Sequence, residues 1–226
     1  MAKDFNHVQV VQDYDVHIRK LIPGYEVVHQ QIHALLKTYV PENAHILIVG
    51  CGTGYELGYL LEKFPNWHFT ATELSITMLD KAKQYIQSLN GSDRVNFILS
   101  NVDDLAVPDH TYDAALSILV AHFVTYSDKA DFFQAIYARL KPQAILLTFD
   151  LIQSTNSDEA ITLKHICMAN GLVEAQADAM LKRLADDFYP WSEQETFQQL
   201  KKSGFHTVQR FSQILSYQGF MATKIE

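Results

Sequence analysis

In "HILIVGCGTGYELGYLLEK", residues 45–63, an apolar run enters three glycines at alternate positions, Gly50, Gly52 and Gly54, and leaves as a helical pattern. Glycine supplies positive φ and lets a ligand or a neighbouring helix approach bare backbone. The free N–H groups of the helix that follows favour an anionic or strongly polar ligand at the turn. Two further stations lie downstream. Glu73 closes the run "WHFTATE", about 20 residues beyond the turn, where a carboxylate can accept both hydroxyls of a ribose. Asn101 and Val102 close "VNFILSNV"; the amide suits the amino or ring nitrogens of a base, and Val102 can pack on the ring and offer its backbone N–H. A phosphate loop needs Lys and then Ser or Thr after its last glycine, but Tyr55 and Glu56 stand there. The strict G-x-G-x-x-G of dinucleotide sites also fails, because its last position is Tyr55. What remains is G-x-G-x-G and a ligand carrying a nucleoside.

These stations need strands that end at one edge of a sheet, and the chain alternates accordingly. "HILIVG", "WHFTATE", "VNFILSN", "YDAALSILV" and "AILLTFDLI" read as strands. "YELGYLLEKF", "SITMLDKAKQYIQSL" with Ser75 as N-cap, and "SDKADFFQAIYARL" capped by Ser127 or Asp128 read as helices between them. Such alternation means βαβ units and a parallel sheet with helices on both faces. Two N-terminal helices are expected, broken at Pro23-Gly24, the second closed by Pro41. After the fifth strand, "DEAITLKHICMANG" and "EAQADAMLKRLADDF" read as consecutive helices, followed by "SEQETFQQLKKSG", a helix capped by Ser192, and two strands within "HTVQRFSQILSYQGFMATK". The expectation is an α/β, Rossmann-like, doubly wound, mostly parallel seven-stranded sheet in a single domain. Residues 1–40 form cap helices, 41–156 and 189–226 the core, and 157–188 a helical lid inserted at the carboxyl edge.

The chain has 226 residues, a net charge of −8, 48% hydrophobic and 19% charged residues. The acidic balance disfavours nucleic acid as a substrate without excluding a local basic patch. Cys51 and Cys167 are the only cysteines; with no apolar leader at the N-terminus they suggest a reducing, cytoplasmic setting. No run approaches the ~18 apolar residues of a membrane span.

Taken together, "ILIVGCGTG", "TATELS" with Met78, "NVDDL…HTYDAAL" and "ARLKPQAILLTFDL" resemble the class I S-adenosylmethionine (SAM)-dependent methyltransferases from about Tyr14 to Lys224, with Gln143-Ala144 where that family usually has glycines. In that family the short glycine spacing faces the amino-acid end of SAM. "IRKLIPGYEVVH" and "RFSQILSYQGFMATK" further resemble the carboxy-SAM synthases, which serve tRNA wobble-uridine modification, and their methyltransferase relatives. The resemblance implies SAM as cofactor, with S-adenosylhomocysteine as product, and cofactor contacts at Tyr25, Gly50, Cys51, Gly52, Glu73, Leu74, Asn101 and Val102. Gly54, Met78 and Ser117 complete the expected set. A homodimer is implied by the resemblance alone. Three positions depart from the synthases: Cys51-Gly52-Thr53-Gly54 replaces a Cys-Ser-Leu-Gly type turn, Ile118 an asparagine, and Leu181 an arginine, with Lys182 and Arg183 adjacent. They favour methyl transfer to a small-molecule acceptor. Carboxy-SAM formation, a non-catalytic SAM-binding regulator and a nucleotide-dependent oxidoreductase are the alternatives.

Methyl transfer is positioning catalysis, and a base is needed only when the nucleophile starts protonated. Topology nominates His122 just beyond the fourth strand, and Tyr14 and His17 on the N-terminal helix, as catalytic candidates. Asp150 ends the fifth strand, and Arg19 could meet a carboxylate. Tyr189-Pro190-Trp191 is either an aromatic wall or a buried hinge. His165 and Cys167, one residue apart on a helix, point to different faces and cannot share a metal ion, so no metal is expected.

Overall fold

The computed structural model describes residues 5–106, 108–154 and 156–225. Seven strands, β1 (His45–Val49), β2 (His68–Glu73), β3 (Val95–Leu99), β4 (Tyr112–Ile118), β5 (Leu140–Leu151), β6 (Thr207–Ile214) and β7 (Tyr217–Thr223), form one sheet in the order β3-β2-β1-β4-β5-β7-β6. The first five are parallel, and β7 runs antiparallel to both β5 and β6. The strand order reverses between β1 and β4, which places a crevice at their carboxyl ends.

Alternation along each strand feeds two cores. Ile46 and Ile48 of β1 face a core shared with α3 (Tyr25–Tyr39), α4 (Tyr55–Lys63) and α5 (Ile76–Ser88). Leu47 and Val49 face the other core, against α6 (Lys129–Arg139) and α9 (Glu193–Lys202). Strands buried on both faces read as continuous apolar runs, as "HILIV" does. The insertion forms α7 (Ser157–Ala169) and α8 (Glu174–Asp186), whose Leu163, Cys167, Ala177 and Met180 join the first core beside Ile18 and Ile22.

The expected caps and ends resolve as follows. Ser75 accepts from Met78 N at 3.1 Å, and Ser192 forms a reciprocal box with Glu195. Asp128 flanks α6 but caps none of its N–H groups; its carboxylate bonds Thr125 and Ser127 hydroxyls instead. The N-terminal region has three helices, not two: α1 (Val8–Gln12) and α2 (Tyr14–Leu21) are separated at Asp13 before Gly24, at φ +69°, starts α3. β4 stops at Ile118, because Leu119 turns to φ +60° and a 3₁₀ turn follows over Ala121–Phe123. Gln143 adopts φ +66°, a geometry that glycine would meet without strain.

Candidate active site

The carboxyl ends of β1, β2, β3 and β4 open into a cavity of about 660 Å³ whose walls include Gly52, Glu73, Asn101, Val102, Met78 and Leu119. That volume lies within the roughly 300–1,000 Å³ of small-molecule sites. Gly52 sits at φ +53°, and a Cβ built there would meet nothing within 4 Å, so its bare backbone borders open space. Glu73 organises the turn: Gly52 N donates to its Oε2 at 2.9 Å, and Leu74 N and Ser75 N donate to its Oε1 at 2.9 Å each. A carboxylate has about four lone-pair sites, so one acceptor position is left for a hydroxyl. Asn101 Oδ1 accepts from Asp104 N at 2.8 Å in an Asx turn, which leaves the Nδ2 group as the donor for a ring nitrogen. Val102 and Met78 are buried and line the floor, while Leu74 flanks the opening at 71% exposure.

Two residues expected in the cofactor set sit elsewhere. Gly54, at φ +85°, would place a Cβ 3.1 Å from the Ala82 backbone of α5; its bareness serves helix packing. Ser117 is fully buried in β4 beside Val49 and Thr148, with its hydroxyl unbonded, and is not among the lining residues of the cavity. Strand alternation turns its side chain under the sheet while Ile118 faces the cavity. Cys51 and Tyr25 instead line a smaller compartment of about 40 Å³, which shares Tyr14, Gly50, Gly52, Ile118 and Leu119 with the large cavity.

A third compartment, of about 230 Å³, lies between α2, α8 and the turn after β4, and shares Phe5, Tyr14, Leu119 and Phe123 with the large cavity. Tyr14 and Leu119 border all three spaces. His122 lies on the wall of the third, 6% exposed, with Nδ1 2.9 Å from Asp150 Oδ1; Asp150, also 6% exposed, accepts from Thr148 Oγ1 at 2.7 Å on its other oxygen. A carboxylate only accepts, so Nδ1 carries the proton and Nε2 presents a lone pair. Phe188 meets the imidazole edge-on at 4.9 Å. His17 lines the same compartment.

Tyr14 does not suit the role of base. Burial, reinforced by the Glu73 and Asp15 carboxylates, pushes its hydroxyl well above the usual range and keeps it protonated. Arg19 donates to Glu26 Oε1 at 2.7 Å and lies over the Tyr55 ring, outside the three compartments' linings. In α8, Lys182 is exposed, whereas Arg183 reaches the third compartment, tied to Asp187 at 3.1 Å and stacked on Phe188. Trp191 is buried, outside the linings of the three compartments, stacked on Phe133 with the Lys129 ammonium over its ring. Lys129 also donates to Tyr189 O, and burial lowers its pKa to about 8. His165 is exposed and Cys167 buried, so they do face apart. Among the described residues no group of three potential ligands gathers for a metal ion, and no helix is long and apolar enough to cross a membrane.

Sequence reasoning missed Leu119, Glu56, Phe188 and Tyr217 as cavity residues. Apolar and aromatic residues carry no signal by type. The one legible hint was Glu56, an acid at the second position of a helix that is otherwise half apolar.

The family described as a methyltransferase domain is matched over residues 46–143. A carboxy-S-adenosyl-L-methionine synthase of Desulfotalea psychrophila is 25% identical over 99% of this chain and 93% of its own. Among solved structures, a SAM-dependent methyltransferase from Aquifex aeolicus superposes with a TM-score of 0.66 at 18% identity, over 97% of this chain and 99% of that one. A 1,6-didemethyltoxoflavin-N1-methyltransferase of Burkholderia thailandensis, solved with its substrate and S-adenosylhomocysteine, gives 0.62 at 18% identity over 96% and 89%. At these identities the structural likenesses speak for the fold.

Proposed function

We propose that the chain is a class I SAM-dependent methyltransferase that methylates a small, largely apolar acceptor whose nucleophile starts protonated, with His122 as general base. Its cofactor is SAM, which supplies a methyl group made electrophilic by the sulfonium. The cavity that ends at Gly52, Glu73 and Asn101 is the proposed cofactor site, and the residues present fit it: bare backbone at Gly52, a spare acceptor on Glu73 and a free donor on Asn101. The compartment of about 230 Å³ is the proposed acceptor site.

The single observation that carries the reading is the His122–Asp150 pair: it is buried, and His122 lines the acceptor compartment next to Phe123, which borders both cavities. Asp150 holds the imidazole in one tautomer and stabilises the imidazolium that forms when Nε2 takes the acceptor's proton. Thr148 and the His122 backbone N–H fix the carboxylate in turn. Phe123, Phe188 and Met180 keep water from the nucleophile. The test is methyl transfer to a panel of small hydroxy- and amino-aromatics, read by product mass. H122N lowers turnover by about 10²–10⁴-fold while S-adenosylhomocysteine binding persists; equal turnover by wild type and H122N would sink the reading.

A second reading has its own observation. Arg183 reaches the acceptor wall, where a cation could hold a carboxylate, and the synthase of Desulfotalea psychrophila matches nearly the whole chain. Incubation with SAM and prephenate, followed by the mass of the sulfonium product, separates the two: a carboxylated SAM supports this reading and unchanged SAM ends it.

A further inference from the structure

Beside the glycine turn, the compartment of about 40 Å³ is lined by Tyr14 of α2, Tyr25 and His29 of α3, Gly50–Thr53 of the turn, and Tyr55 and Glu56 of α4. Glu56 is the anomaly in it. Its Oε2 is buried and has no hydrogen-bond partner. A buried carboxyl without a partner is costly and calls for an explanation.

The neighbours on every side fail to supply a cation. His29 Nδ1 is spent on Tyr25 O at 2.8 Å, its Nε2 stands 3.9 Å from Glu56 Oε2, and burial lowers its pKa, so the ring is neutral. Tyr14 and Tyr25 are pushed up by burial, and the Cys51 thiol is pushed up by burial and by the Glu73 and Glu56 carboxylates; all three stay protonated. Tyr55 donates to Glu26, and Arg19 is engaged by the same carboxylate. Burial alone pushes Glu56 up to about 8, so in the empty protein it is largely neutral at pH 7.

We propose that Glu56 is the counter-ion for the α-ammonium group of the cofactor's amino-acid end. The inference rests on the reading that SAM occupies the adjoining cavity, whose wall continues through Gly52 and Leu119 into this compartment. The space suits a group of a few atoms: a water molecule needs roughly 10–15 Å³ by the same kind of measure. Arrival of the ammonium converts Glu56 from acid to carboxylate and expels its proton to solvent, so binding and ionisation are linked. Charge is then created at the buried Oε2 only when its partner is present.

Calorimetry with two ligands tests this. S-adenosylhomocysteine carries the amino-acid end without the sulfonium; 5′-methylthioadenosine lacks both. For the wild type, titrations at pH 6.5 in buffers of different ionisation enthalpy should show close to one proton released per S-adenosylhomocysteine bound, and affinity should rise from pH 6 to pH 8. E56Q should release none and bind S-adenosylhomocysteine about 10- to 100-fold more weakly, as loss of a charged hydrogen bond predicts, while 5′-methylthioadenosine binds within twofold of wild type. E56L, which removes the orphaned oxygen, should melt no lower than wild type without ligand and share the binding defect. Unchanged S-adenosylhomocysteine affinity in E56Q, or affinity that falls as pH rises, overturns the proposal and leaves the cofactor site standing. Failure of both ligands to bind the wild type overturns the site itself and this inference with it.

Discussion

At the proposed cofactor end of the cleft, the groups that face the cavity are strand termini and backbone: Gly52, the Glu73 carboxylate clamped by three backbone N–H groups, and Asn101 in its Asx turn. At the acceptor end they are side chains from separate elements: His122 after β4, Met180 and Arg183 from α8, Tyr217 from β7 and Ile18 from α2. The first end inherits its precision from hydrogen-bonded ladders, which are buried on both faces at β1 and β2. The second depends on helices packed through side chains and on the segment after α8, where Trp191 stacks on Phe133 under the Lys129 ammonium. A fold built this way can keep one ligand constant while its partner changes, because altering the helices leaves the strand ends in place.

That contrast can be broken in order of expected effect. H122N should lower methyl transfer by about 10²–10⁴-fold with S-adenosylhomocysteine affinity unchanged; loss of cofactor affinity in this variant would mean the two ends are one unit. E73A should do the reverse. Three backbone donors lose their acceptor, so cofactor affinity should fall on the order of 100-fold, with turnover recovering at saturating SAM; a kcat that stays low would place Glu73 in chemistry. L184W projects into the acceptor compartment and should raise the acceptor KM roughly 10-fold, as about 1.4 kcal/mol of lost fit would, leaving calorimetric cofactor binding as in wild type. The smallest effect is on stability. Glu56 titrates at about 8 in the folded chain against an ordinary value of 4.5. Between those values the folded state keeps a proton that the unfolded state has given up, so the ligand-free Tm should fall as pH rises through that window. E56Q should flatten the slope, and an equal slope in both proteins would remove Glu56 as its source.

Much of the cofactor end could be read from one dimension. The glycines, Glu73 and Asn101 each stand where an apolar run stops, and a parallel sheet brings such stops to one edge. Ser117 and Gly54 show the limit of that reading. Both are near the site in sequence, but the pleat turns Ser117 inward and the Ala82 contact claims Gly54. The acceptor end was far less legible. His122 and Asp150 were separate candidates, and nothing in their spacing says that Nδ1 and Oδ1 meet at 2.9 Å; β4 and β5 had to pair in register, Ser117 opposite Thr148, before Leu119 could turn the chain back. Tyr14 was legible as a neighbour of the site but not as a group locked in its protonated form, since its burial and the nearness of the Glu73 charge arise only in three dimensions.

Local sequence determined the alternation of strands and helices, the sheet they build and the edge at which the proposed cofactor site lies, because hydrophobic periodicity and glycine freedom act over a few residues. Tertiary structure decided which histidine gained a carboxylate, which acid was left without a partner and how large a space the acceptor receives. Those properties depend on desolvation and on contacts between residues far apart in the chain, and neither quantity exists until the elements have packed.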